Sequence, residues 1–472
     1  MYNKYESYKF VLVGLGPHAK RIYISIFKKY RLNLSLLLDL KSKKTEIEEY
    51  LKENDISTEL FLIDDSYKDS TCLPIKISNK LQRKIPTKNI KYAIISTEPK
   101  AHFMYAKFFL ENELNILLDK PITSPINCNN DINQTIKIKE EYEELCRLYE
   151  RKKDKMHFTI QCQRRFHEGF IYIKNLLIET VQKYNIPITY IDIYHNDGMW
   201  VMPSEFLTRE NHPYKYGYGK LFHSGYHFID LLTWFLEINN LTQNKGINNA
   251  EMYVSTYNPN DALTVINSQD YQKLFNTDKF KNIFNIAEND FKNYGEIDFH
   301  SIINFKKDDK TITNCTLNLM QSGFSRRSWC NLPEDIYKGN GRVRHERLNI
   351  EVGPLLNIQI HSYQAYEIYE KERIFNNNVG SIEHFEIYIF RNCKLIGGKP
   401  FEKIDLDTIS ESDKAYFCDK NEKARENCFI SFLDNENHES DLLRHKGAIN
   451  LTWKAFEIMA TKSKTSNFKF EI

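Results

Sequence analysis

Lys9-Phe10-Val11-Leu12-Val13-Gly14-Leu15-Gly16-Pro17-His18-Ala19 is the stretch on which the fold turns. A short apolar strand runs straight into a G-x-G-x-x-A turn, and Arg21–Tyr30 then has the apolar spacing of a helix. Each small residue has a physical task in a phosphate-binding turn. Gly14 makes the tight bend, Gly16 lets backbone approach a pyrophosphate, and Ala19 lets the helix pack on the strand. Pro17 and His18 open the helix, whose free N–H groups and positive dipole end face the phosphates.

The next segments extend the same pattern. Leu34-Ser35-Leu36-Leu37-Leu38 is a second strand ending on Asp39, where a carboxylate would hold the ribose diol of NAD. Lys41, Lys43 and Lys44 follow and could serve a 2′-phosphate, so NADP stays open as the alternative. Further strands are expected at Glu59–Ile63, Tyr92–Ser96, Asn115–Leu118 and from Phe158, with a charged helix at Lys137–Lys153. Residues just past the carboxyl ends of parallel strands line the ligand crevice. This places Thr97, Glu98, Pro99 and His102 after the fourth strand, and Asp119, Lys120 and Pro121 after the fifth. Alternating strands and helices predict a doubly wound parallel sheet.

Composition bounds the rest. A chain of 472 residues is too long for one core, which predicts two domains, 1–160 and 161–472. Lys+Arg 65 against Asp+Glu 63 leaves a formal charge of +2, giving no support for nucleic acid or a membrane surface as partner. No apolar run reaches the ~20 residues of a membrane span, and the N-terminus has no signal pattern. Nine cysteines without a CxxC pair read as reduced thiols in a cytoplasmic protein.

In the second half, Gly217–Leu231 stands out. From Leu221 onward, Leu221, Phe228, Leu231, Leu232 and Phe235 recur at helical spacing, which aligns His223, His227 and Asp230 on one face. Gly225 inside this helix implies close approach of something flat, either a backbone or a ligand ring. Before it, Met199-Trp200 and Tyr214, Tyr216 and Tyr218 offer aromatic faces suited to sugar rings. Residues 238–300 are rich in Asn and Asp and read as an insertion. Strands are expected at His300–Phe305 and Ile312–Leu319. Arg326, Arg327, Arg342, Arg344, His345 and Arg347 suit an anion or a charged, solvated hairpin edge. Lys371–Val379 and Pro400–Lys423 read as loops.

In combination, Gly14/Gly16/Ala19, Thr97-Glu98-Pro99 with His102, Asp119-Lys120-Pro121, Arg164-Arg165-Phe166 and Gly225-x-His227-x-x-Asp230 resemble the glucose-fructose oxidoreductase / inositol dehydrogenase (Gfo/Idh/MocA) family. A helix around Asp441–Ala460 also fits. The resemblance implies an α/β chain: an N-terminal Rossmann domain, then a C-terminal α+β domain with a large open antiparallel sheet supporting a homodimer or homotetramer. It implies hydride transfer between a nicotinamide cofactor and a secondary alcohol of a sugar, cyclitol or related small molecule. Lys120 and His227 match the catalytic lysine and histidine. Arg165, Trp200, His223 and Asp230 are the expected substrate contacts, and no metal is expected.

On this resemblance His227 would take the hydroxyl proton while Lys120 stabilises the developing alkoxide. Two departures stand out. Asp119 replaces the usual Glu, and His223 stands where many members carry Asp, which alters the proton relay and leaves room for an anionic substrate across both histidines. An NAD-dependent enzyme using transient oxidation for elimination, or a silent cofactor-binding sensor, are the alternatives. A metal hydrolase reading of His223-x-x-x-His227 with Asp230 ranks last, for want of a Glu at 224.

Overall fold

The computed structural model describes residues 4–198, 205–210, 212–275, 291–324, 342–366, 383–409, 420–436 and 438–472. They divide into two compact units. One comprises Met1–Pro125, Lys137–His167 and Cys418–His445; the other comprises Ile126–Ile136, Glu168–Phe417 and Lys446–Ile472.

The first unit holds a parallel sheet of β1 (Lys9–Val13), β2 (Asn33–Leu40), β3 (Glu59–Ile63), β4 (Tyr92–Ile95), β5 (Asn115–Asp119) and β6 (Phe158–Gln161). Their order is β3-β2-β1-β4-β5-β6, the doubly wound arrangement. Strands covered on both faces need continuous apolar runs, and Phe10, Val11, Leu12, Ile94, Leu117 and Ile160 are all fully buried. The helical run after β1 is interrupted: Pro17–Ala19 is α-helical, Lys20–Ile24 a π-turn and Ser25–Tyr30 α-helical again.

Beyond the expected boundary at residue 160, this unit gains a helix, Lys420–Asp434, whose start falls in a segment read as loop. Ala424, Cys428, Phe429 and Phe432 are buried along one stripe of it. Phe429 sits 6.3 Å from the Phe10 ring and 6.2 Å from Phe27. Arg21–Glu422 at 2.5 Å and Lys29–Glu426 at 2.7 Å frame the contact.

The second unit is built on a nine-stranded sheet: β7 (Tyr190–Asn196), β8 (Asn249–Tyr257), β9 (Asp298–Lys307), β10 (Lys310–Met320), β11 (Arg342–Val352), β12 (Leu356–Tyr366), β13 (Glu383–Arg391), β14 (Phe401–Asp405) and β15 (Thr465–Lys469). The order is β14-β13-β12-β11-β7-β10-β9-β8-β15. Every pairing is antiparallel except β7 with β10, so the sheet is mixed rather than purely antiparallel. Alternation sets the faces: Ile191 and Ile193 of β7, and Cys315, Leu317 and Leu319 of β10, are fully buried. Helices Tyr226–Leu236 and Lys446–Thr461 pack together in this unit, with Phe222, in the turn before the first, stacked 4.4 Å from Phe456.

Residues 238–300, read as an insertion, contain β8 and the helices Pro259–Val265 and Ser268–Phe275; residues 276–290 lie outside the described set. Two sequence expectations are corrected here. Arg347 lies on no hairpin edge, because β11 there pairs with β7 on one side and β12 on the other. Arg347 lies over the Tyr194 ring at 4.6 Å. Pro400–Lys423 contains β14, which pairs with β13. Arg326, Arg327 and Lys371–Val379 lie outside the described residues, as does the Arg342 side chain. Among the described residues, no helix is long and apolar enough to cross a membrane.

Candidate active site

In the first unit the loops at the carboxyl ends of β1, β2, β4 and β5 gather the expected cofactor residues. Gly14 has φ +86°, and its N–H donates to the Leu38 carbonyl at 2.8 Å. A Cβ at 14 would run into the Ser96 carbonyl, so the turn passes hard against β4. Gly16 is the opposite case. Its φ is −75°, and a Cβ there would meet nothing within 4 Å. Open space above a backbone at the start of a helical run is what an approaching phosphate needs. Ala19 is fully buried.

Asp39 is bound to the turn itself. Its Oδ2 accepts the Leu15 N–H at 2.8 Å and its Oδ1 the Leu40 N–H at 2.7 Å. Of the lysines that follow, Lys41 lies 3.9 Å from Asp64 and Lys44 3.7 Å from Glu48, all four more than half exposed.

Asp119 accepts from Ser96 Oγ at 2.5 Å and from the Tyr23 hydroxyl, with His18 Nε2 3.7 Å away. Burial raises its pKa, and the two hydroxyl donors oppose that rise. Ser96 and Tyr23 were not singled out in the sequence; Tyr23 reads there as one more apolar helix position.

His102 is 1% exposed and spans two loops, with Nδ1 2.7 Å from the Pro121 carbonyl oxygen and Nε2 3.1 Å from that of Thr97. Two carbonyls would favour an imidazolium, yet burial prevails and lowers its pKa to about 4. Neutral at pH 7, it can donate from one nitrogen only. His102 thus lies between the Thr97-Glu98-Pro99 loop and Lys120-Pro121, whose peptide bond is cis, and bonds one of the two carbonyls. Thr97, Glu98 and Lys120 are partly exposed, while Pro99 is buried.

Arg165 lies in the turn Gln163–Phe166 that follows β6. It is fully buried, donating to the carbonyls of Glu439 at 2.7 Å and Arg444 at 3.1 Å. Its guanidinium thereby fastens the turn at 438–445 within this unit.

In the second unit the histidine helix is less regular than its sequence. Leu221–Gly225 form a π-turn, and Tyr226–Leu236 continue as α-helix. His223 lies within the π-turn and His227 in the first turn of the α-helix that follows. His223 turns to the loop before it: Nε2 lies 2.9 Å from the His212 carbonyl and Nδ1 3.4 Å from Gln321 Oε1, with the Tyr214 ring edge-on at 4.8 Å. Gln321 Oε1 also accepts from the Tyr214 hydroxyl at 3.0 Å. His227 is partly exposed and Asp230 wholly buried. Gly225 lets Leu319 and the Lys220 carbonyl approach; each would stand 3.0 Å from a Cβ. Of the backbone or ligand ring expected there, the Lys220 carbonyl supplies a backbone. Lys220 pairs with Asp197 at 2.6 Å, both buried. Trp200 lies outside the described residues.

Residues 8–149 match the model of GFO_IDH_MocA, an oxidoreductase family with an NAD-binding Rossmann fold. Over these residues the chain is similar to the Gfo/Idh/MocA family. Solved structures agree on the fold. An oxidoreductase domain protein from Kribbella flavida aligns over 98% of this chain and 99% of its own, at 10% identity and TM-score 0.57. The apo scyllo-inositol dehydrogenase of Lactobacillus casei aligns over 98% of both chains, at 15% identity and TM-score 0.52. A Listeria innocua NAD-binding protein aligns over 98% and 97%, at 14% identity and TM-score 0.52. No curated protein sequence matches the chain. The cofactor class of the Gfo/Idh/MocA family, NAD(P), fits the residues present: open space at Gly16 lies one residue from the Leu15–Asp39 bond.

Proposed function

We propose that this oxidoreductase transfers a hydride between a nicotinamide dinucleotide and a secondary alcohol of a sugar, cyclitol or sugar derivative, anionic ones included. The observation that carries the proposal is the open backbone at Gly16 beside Asp39, on the sheet edge that also ends in Lys120. When bound, the nicotinamide supplies the hydride donor or acceptor. Gly14, Gly16 and the residues Pro17, His18 and Ala19 would hold the pyrophosphate, and Asp39 would accept from ribose hydroxyls. Thr97, Glu98 and Pro99 would line the crevice beyond, with His102 and Asp119 fixing the loops around it.

Lys120 would donate a hydrogen bond to the reacting hydroxyl oxygen and stabilise its developing negative charge. His227 is assigned, from its motif, as the base that takes the hydroxyl proton. Asp230 would support the helix, and His223, bonded to its own loop, would shape the wall without exchanging the proton. We place the protein in the cytoplasm as a homodimer or homotetramer. A silent cofactor-binding role is the second reading, and His223 in the usual place of Asp is the feature that favours it.

The test is turnover with NAD and a panel of cyclitols, sugars and sugar phosphates. The expected result is NADH accumulating in step with product, cut about 10²-fold or more by Lys120→Ala with cofactor binding intact and abolished by His227→Ala. Tight NADH binding without turnover across the panel would instead support the silent role.

A further inference from the structure

The start of the histidine helix is held by a segment that lies far along the chain. Glu296 is 1% exposed; its Oε1 accepts the Leu221 N–H at 2.7 Å, and its carbonyl accepts the Lys220 N–H at 2.8 Å. Its neighbour Gly295 donates to the Tyr214 carbonyl at 2.9 Å. The two backbones touch because neither carries a side chain at the crossing: a Cβ at Gly219 would run into Glu296, and one at Gly295 into Tyr218. Asn129 closes the far side, donating to the Tyr294 carbonyl at 2.9 Å and lying against Gly217. The first N–H groups of a helix have no partner inside it, and here a buried carboxylate supplies one. Glu296 Oε2 is buried too and bonds to nothing among the described residues.

We propose that Glu296 is a positioning residue for His227, holding the π-turn Leu221–Gly225 that sets how the His227 ring leaves the helix. The inference rests on His227 as the proton-exchanging group. An ionised carboxylate at a helix N-terminus strengthens the first turn, and a neutral one holds it less firmly. Burial pushes the Glu296 carboxyl up to about 7 against the pull of the Leu221 N–H, and the Asp298 carboxylate adds to the rise. Asp298 along its own chain and Tyr214 on the preceding loop interact electrostatically with it, and Tyr214 in turn feels Glu205, Arg209 and Asp197, the last paired with Lys220. Glu296 therefore changes charge in the range where a histidine ordinarily does, and the hold on the turn weakens as it takes up its proton.

The test is NMR on the full-length protein labelled at leucine nitrogen and histidine carbon. In the unaltered protein the Leu221 amide should shift with a midpoint near pH 7, and the His227 ring signal should show the same inflection beside its own. Glu296→Gln should remove that inflection from His227 while NADH affinity stays within about twofold, and Glu296→Asp should restore it at a displaced midpoint. A flat Leu221 amide between about pH 5 and about pH 9, or an unchanged His227 titration in Glu296→Gln, would overturn the inference. The Leu221 measurement needs no variant, so a misfolded substitution leaves the question decidable. If Glu296→Gln acts as expected but His227→Ala still turns substrate over, the coupling stands and the base assignment falls.

Discussion

Asp39 accepts the backbone N–H of Leu15 at 2.8 Å, tying the tip of β2 to the glycine turn that follows β1. Each Asp39 oxygen holds one backbone bond and keeps a lone pair for a second. A 2′-phosphate would bring like charge against it, so NAD(H) should bind at least about tenfold tighter than NADP(H), a difference of about 1.4 kcal/mol. Asp39→Ala should bring the two within a few-fold. Fluorescence titration of both reduced cofactors checks this; tighter NADP(H) binding would hand the site to Lys41, Lys43 or Lys44.

Gly14 and Gly16 should fail in different ways. Gly14→Ala puts a side chain at φ +86° and against the Ser96 carbonyl, and backbone strain of this kind costs about 1–3 kcal/mol. Gly16→Ala has an ordinary φ and free space, so stability should stay within about 0.5 kcal/mol. Its methyl group would nevertheless stand where a phosphate approaches, lowering NADH affinity about tenfold or more. Thermal unfolding with and without NADH separates the two. A Gly16→Ala protein with full affinity would move the phosphate elsewhere.

His102 links stability to acid. Its folded pKa is about 4, against the ordinary 6.5, so below pH 6.5 the unfolded chain binds a proton that the native one refuses. Stability should therefore fall as pH drops from about 6.5 to about 4, by up to roughly 3 kcal/mol from this residue. Denaturant unfolding across that window should give a shallower slope for His102→Gln than for the unaltered protein. Equal slopes would mean the ring is not held neutral.

Arg165 should behave as a structural tie. Arg165→Ala strips the donors from the Glu439 and Arg444 carbonyls, and losing charged, buried hydrogen bonds costs about 3 kcal/mol. Arg165→Lys, which lacks the planar fork, should recover only part of it. If Arg165 served substrate instead, urea midpoints would hardly move and only KM would rise.

The strands of the first unit were legible because parallel, doubly covered strands must be continuous apolar runs, a signal local to each segment. β1 at Lys9–Val13 and β3 at Glu59–Ile63 have the bounds read from sequence. Gly14 was legible as well, because a positive φ is a property of one residue. Once the strands are set, the gathering of Asp39, Thr97 and Lys120 at one sheet edge follows from parallel order. The helix Lys420–Asp434 shows the limit of this kind of inference. Ala424, Cys428 and Phe432 carry helical spacing, but nothing local says that their apolar stripe buries against Phe10 and Phe27, some four hundred residues earlier. The polar contacts follow the same division. The sequence read as one regular helix through His223 and His227, whereas Leu221–Gly225 form a π-turn, and Glu296 was invisible in a segment read as insertion. Local chemistry determines which residues can bend, extend or coil. Where a carboxylate or guanidinium finds its partner is decided by long-range packing, because that partner is chosen by burial and carries no mark in the sequence beside it.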